Sequence, residues 1–189
     1  MEKFRQYLHA TKTYIAERSD LFVGIGVVAG LLAIVGIVVL VNELSGPQIV
    51  YQPIKACEVF TPAEAQSLLG ERINNTEKNE PQISGNFGVS KCGYSDLNSQ
   101  AMMVAAVTIR SGINDEGVAK NKSDFAQSNA VNASEDVPGI GDSAFFNGKA
   151  GQLNVFKGKS WYIFSYGLGD SPEQNTLEKS LELARKVVG

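Results

Sequence analysis

Between Leu21 and Val41 the chain reads LFVGIGVVAGLLAIVGIVVLV, 21 residues without a charged or polar side chain. At the rise of an α-helix such a run covers about 31 Å, which matches a bilayer's hydrocarbon core. Only a helix satisfies every backbone N–H and C=O group in lipid, so the abundance of Val and Ile does not argue against one. The run is longer than the apolar stretch of a secretory signal and follows 20 residues of N-terminal chain. Asn42-Glu43-Leu44-Ser45 comes next, with no small-x-small cleavage pattern and no adjacent Cys to accept a lipid. The segment is therefore read as an uncleaved signal-anchor.

Orientation follows from the flanking bases. Lys3, Arg5, Lys12 and Arg18 precede the span, whereas the first base after it is Lys55. That places residues 1–20 in the cytoplasm and the C-terminal portion outside the cell membrane. Within 1–20, Phe4, Leu8 and Ile15 recur at helical spacing beside Tyr7, Thr11 and Tyr14. The arm reads as an amphipathic helix that either continues the anchor along the headgroups or docks a partner. Gly26 and Gly30 form a G-x-x-x-G pattern. Such a face lets two membrane helices approach closely, although Gly is also common in membrane helices generally.

Residues 42–54 hold Gly46, Pro47 and Pro53 and read as a linker. Residues 55–189 then form one extracytoplasmic domain of ordinary size. The whole chain carries a net charge of −3, which argues against a nucleic-acid binder with a broad basic face. The single His is His9, in the N-terminal arm, so the domain has no Ser-His-Asp or Cys-His arrangement. No metal-ligand spacing and no phosphate loop occurs, and the acidic pairs Asp115/Glu116 and Glu135/Asp136 read as solvated neighbours. No catalytic residue, cofactor or metal is expected. Cys57 and Cys92 are the only thiols. On the oxidising side of a membrane they are expected to pair, the alternatives being two buried thiols or a redox couple. No C-x-x-C pattern supports the redox alternative.

Local signals divide the domain. Thr61-Pro62-Ala63-Glu64 is a capping box with Pro at the first helical position, and Gly70 ends that helix. A strand is expected near Glu71–Asn75, a loop over Thr76–Gly88, a strand over Val89–Ser95 and a buried central strand over Gln100–Arg110. Asn114–Asn129 suggests a weakly amphipathic helix, interrupted by Gly117. After the turn-rich Val137–Asp142, three strands follow as a meander: Ser143–Asn147, Gln152–Lys157 and Lys159–Tyr166. A last helix is expected to open at Ser171, Pro172 and Gln174 and to bury Leu177, Leu181, Ala184 and Val188. The order predicts an α+β fold: an antiparallel sheet of five or six strands with helices packed on one face.

Cys57–Gly70 (CEVFTPAEAQSLLG), the aromatic Tyr94 two residues after Cys92, and Val137–Ala144 (VPGIGDSA) carry a further signal. In these the chain resembles a family of small bacterial envelope domains of unknown function, often found as actinobacterial lipoproteins. The resemblance spans most of residues 55–166 on about a dozen positions, with a membrane helix here where the family often uses a lipid. It implies a Cys57–Cys92 disulfide and a PsbP-like sheet-plus-helix fold, and brings no catalytic residues. The expected function is non-enzymatic: a single-pass anchored domain that binds a partner protein or envelope component. Its partners would be the lipid bilayer, an envelope protein or a second copy through the membrane helix, and no nucleic acid. Tyr94, Met103, Phe156, Trp161, Tyr162 and Phe164 are the candidate ligand or partner surface. The alternative is a carrier or sensor of a small apolar ligand held between sheet and helices in a pocket lined by Met102, Met103, Phe145, Phe156 and Trp161, residues that core packing would equally use.

Overall fold

A computed structural model of the chain describes residues 48–97, 102–131, 134–168 and 174–189. The expected arm 1–20, the apolar span 21–41 with its Gly26/Gly30 pattern, and linker residues 42–47 lie outside the described residues. No helix among the described residues is long and apolar enough to cross a membrane.

The N-terminal part is built from short, side-chain-pinned pieces. Helix α1 (Ala56–Val59) has only four residues and no side-chain cap. It is too short to stand alone and is tied down through its first two residues. Ala56 N donates to Ser90 Oγ at 3.1 Å, and Cys57 is disulfide-bonded to Cys92. Helix α2 (Pro62–Leu69) carries the expected capping box. Thr61 N donates to Glu64 Oε2 at 2.6 Å, and Glu64 N donates back to Thr61 Oγ1 at 3.4 Å. Gly70 ends it at φ +99°, a conformation that glycine adopts without strain.

Seven strands follow among the described residues, two more than the lower expectation and one more than the upper. They are β1 (Ile73–Ser84), β2 (Phe87–Asp96), β3 (Met103–Gly112), β4 (Glu135–Asp136), β5 (Ser143–Asn147), β6 (Gln152–Lys157) and β7 (Ser160–Leu168). Helix α3 (Asp115–Val131) lies between β3 and β4, and helix α4 (Leu177–Val188) closes the chain. The strands make one antiparallel sheet in the order β1-β2-β3-β7-β6-β5-β4. The buried strand β3 thus sits inside the sheet and the meander β5–β7 forms as expected.

Two expectations need correction. The stretch read as a loop from Thr76 is most of the twelve-residue strand β1. Its Asn, Glu, Lys and Pro residues have little strand preference, but pairing with β2 supplies the backbone hydrogen bonds that propensity does not. It lies at the sheet edge, with register shifts between Asn75 and Glu77 and between Asn79 and Gln82. Charges, a proline and bulges blunt such an edge against unwanted pairing. The second correction concerns α4, whose expected opening residues Ser171 and Pro172 lie outside the described residues. Its cap is Thr176, whose Oγ1 accepts from Lys179 N at 3.3 Å, and Gln174 precedes the helix. Asn175 Nδ2 donates to Gly151 O at 3.1 Å, which holds the chain against the β5–β6 turn before the helix can begin.

Helices cover both faces of the sheet rather than one. Directly paired residues share a face. The rows Val107–Phe164–Leu153 and Ile109–Tyr162–Val155 look to one side. There they join Ala56 and Phe60 of α1, Ala65 and Leu69 of α2, and Leu183, Ala184 and Val188 of α4 in the main core. The alternate row Arg110–Trp161–Phe156 looks to the other side. There Phe125 of α3 packs against Phe145, Phe156 and Trp161, with ring centroids 5.0, 5.6 and 5.7 Å away. Asp124 of α3 reaches the same face. It pairs with Arg110 at 2.9 Å and with Lys120 at 2.7 Å, while the Arg110 guanidinium lies 3.7 Å over the Phe87 ring.

Candidate functional site

The segment before α1 is pinned across the ends of the central strands. Val50 N and Tyr51 N donate to Ile113 O at 2.8 and 2.9 Å. Ser90 Oγ donates to Ile54 O at 2.7 Å, and Ile54 N donates to Ser111 Oγ at 3.1 Å. On the opposite side stands the β6–β7 turn, where Lys157 pairs with Ser160 around Gly158 at φ +62°. Gly158 N donates to Asp142 Oδ2 at 2.7 Å, and Gly112 N donates to Lys159 O at 3.0 Å. Asn121 of α3 is wholly buried, and its Nδ2 donates to Arg110 O at 2.7 Å and to Lys159 O at 3.2 Å.

Between these walls opens a groove of about 520 Å³, lined by Val50–Gln52, Ile54, Ser111–Gly112 and Lys157–Ser160. Lys159 Nζ lies 3.2 Å from the centroid of the Tyr51 ring, a cation–π contact. The Tyr51 hydroxyl donates to Asp115 Oδ1 at 2.5 Å. That bond to a carboxylate, more than burial, pushes the Tyr51 phenol above its usual range. Lys157 Nζ donates to Val188 O. At the floor, Ser160 Oγ and Ser111 Oγ are 3.1 Å apart, and the two residues are 3% and 2% exposed.

The residues singled out from the sequence lie elsewhere, and on two sides of the sheet. Tyr94, Met103, Tyr162 and Phe164 belong to the main core or pack against it. Phe156 and Trp161 belong to the cluster under α3, together with Phe145. Tyr94 meets Phe60 edge-on at 5.2 Å, and Tyr162 stacks on Phe164 at 6.0 Å. Burial raises the phenol pKa of Tyr94, Tyr162 and Tyr166. Met102 is 56% exposed. None of these six surface candidates lines the groove.

The groove's own residues carried a weak sequence signal. Lys157-Gly158-Lys159-Ser160 reads only as a hairpin turn until residues 50–54 are laid beside it. Among the described residues, no group of three or more His, Cys, Asp or Glu side chains is placed to hold a metal. No known family, no curated protein and no solved structure matches the chain.

Proposed function

We propose that the protein is a single-pass membrane protein whose C-terminal α+β domain stands outside the cytoplasm and binds a partner protein or envelope component without catalysis. The observation that carries this reading is the Cys57–Cys92 disulfide, with Cys92 wholly buried, in a domain that follows the 21-residue apolar run. Such bonds persist in oxidising compartments. The same pair falls within the sequence pattern that resembles bacterial envelope domains, which fits that placement.

The non-catalytic part of the reading is supported by where the charges lie. No Asp, Glu, Lys or Arg is among the buried residues described. The Asp124 carboxyl is lowered by Lys120 and Arg110, as in a structural ion pair. Catalytic acids and bases are characteristically found where burial and neighbours move them toward neutral pH.

Protease added to intact cells tests the topology. The reading expects the C-terminal portion to be cut while the N-terminal arm is spared. It also expects both sulfurs to resist alkylation until reductant is added. Protection of the C-terminal portion, or labelling of both thiols without reductant, overturns it. Cross-linking in native membranes followed by mass spectrometry then identifies what the domain touches.

A further inference from the structure

We propose that the groove between residues 50–54 and the β6–β7 turn binds a phosphate-bearing anion with an organic body. Its lining presents donors. Lys157 and Lys159 both line the groove, and neither has a carboxylate within ion-pair distance among the described residues. Each ammonium has three N–H donors. Lys157 uses one on Val188 O and Lys159 rests on the Tyr51 ring, so both keep donors for a ligand. The nearby acids are already engaged, Asp142 by Gly158 N and Asp115 by the Tyr51 hydroxyl.

The floor adds an independent observation. Ser111 and Ser160 have two hydroxyl protons and one hydrogen bond between them, while Ile54 N occupies a lone pair of Ser111 Oγ. Whichever serine donates to the other, one O–H proton finds no acceptor among the described residues. Both serines are nearly wholly buried and line the groove. A buried donor without an acceptor is costly, and an anionic oxygen placed there recovers that loss.

Two lysines and a hydroxyl lining one groove suit a tetrahedral oxyanion, for which Lys serves as a point charge. The 520 Å³ volume exceeds what inorganic phosphate fills and falls within the range of small-molecule sites. Val50, Ile54 and the Tyr51 ring supply an apolar wall for the rest of the molecule. A phospholipid headgroup and a soluble phosphate ester share this chemistry. The site uses only residues 50–54, 111–112 and 157–160, so it stands or falls separately from the membrane topology proposed above.

Amine acylation read by mass spectrometry tests it on the full-length chain. In one arm, glycerol phosphate or inorganic phosphate is added to the protein in neutral detergent. In the other, the protein is placed in phosphatidylcholine nanodiscs with or without phosphatidylglycerol. Protection of Lys157 and Lys159, but not of exposed Lys122, is the expected result. Protection by the soluble ester assigns a soluble ligand, and protection only by phosphatidylglycerol assigns a lipid headgroup. K157Q and K159Q are each expected to weaken binding about tenfold, the loss carried by one charge-assisted hydrogen bond. The double substitution S111A/S160A removes both floor hydroxyls and is expected to weaken binding without altering net charge. No protection in either arm by a chain whose disulfide is intact overturns the proposal, as does equal protection of Lys122. The wild-type measurement decides even if a variant fails to fold.

Discussion

Reduction of Cys57–Cys92 should lower the thermal midpoint of the domain sharply. The bond closes a segment with a sequence separation of 35. Loop-closure entropy for that length gives about 4 kcal/mol. For a domain of this size that corresponds to a fall of about 12–20 °C in Tm. The native side of the balance adds a local effect. Residue 57 lies in the four-residue helix α1, which has no side-chain cap of its own. Without the bond, α1 is held by the Ala56–Ser90 hydrogen bond and by Phe60 in the core. Amides of residues 57–60 should therefore exchange faster than those of α2 after reduction. Circular dichroism melts with and without reductant, on the full chain in neutral detergent, measure the first effect, and hydrogen exchange measures the second. The double variant C57A/C92A should fall further than the reduced protein, because Cys92 is wholly buried and its sulfur fills core space. A shift of less than about 4 °C on reduction would refute the argument, since a loop of this length must then already be constrained in the unfolded chain.

Three other substitutions probe the packing around the groove and α3. N121A removes two hydrogen bonds to Arg110 O and Lys159 O in a wholly buried position, and urea unfolding should show a loss of about 2–3 kcal/mol. G117A improves helix propensity by about 0.8–1.0 kcal/mol, yet its Cβ would stand 2.1 Å from Asn86 O. The same urea assay should therefore show net destabilisation of about 1–3 kcal/mol. The Asp124 carboxyl is held below the usual carboxylate range by hydrogen bonds from Lys120 and then Arg110. A depressed folded-state pKa contributes stability above the unfolded value, near 3.9, that is lost as pH falls through the lower folded value. D124N should thus be less stable than the parent at neutral pH, with the two converging as pH falls through the lowered folded-state pKa, as urea midpoints across pH will show.

Where the chain's local chemistry was strong, the fold could be read before any contact was known. Thr61, Pro62 and Glu64 specify α2 through hydrogen bonds three residues apart, and the structure forms that box. The apolar, β-branched run ending at Arg110 becomes an interior strand, and the turns near Gly151 and Gly158 separate β5, β6 and β7. Strand β1 shows the opposite case. Only Ile73–Asn75 falls within the strand expected near Glu71–Asn75; the polar TEKNEPQIS that follows reads as a loop, and its partner β2 lies beyond a turn. Gly117 is similar. Its role is invisible along α3, because the atom that forbids a side chain there is Asn86 O, on the β1–β2 turn. The aromatic residues read from the sequence as a ligand or partner surface, whereas their packing on two separate faces depends on strand register.

By itself the sequence determined the pieces whose causes lie within a few residues: the capped helix, the alternating strands, the glycine turns and the apolar run at 21–41. It also determined which two sulfurs were there to pair. Tertiary structure alone decided that a polar stretch would serve as an edge strand and that α3 would cover the face opposite the other helices. It alone brought Tyr51, Ser111 and the Lys157–Ser160 turn around one groove. Hydrogen bonding and burial between distant segments set those outcomes, and such contacts leave no periodic trace along the chain.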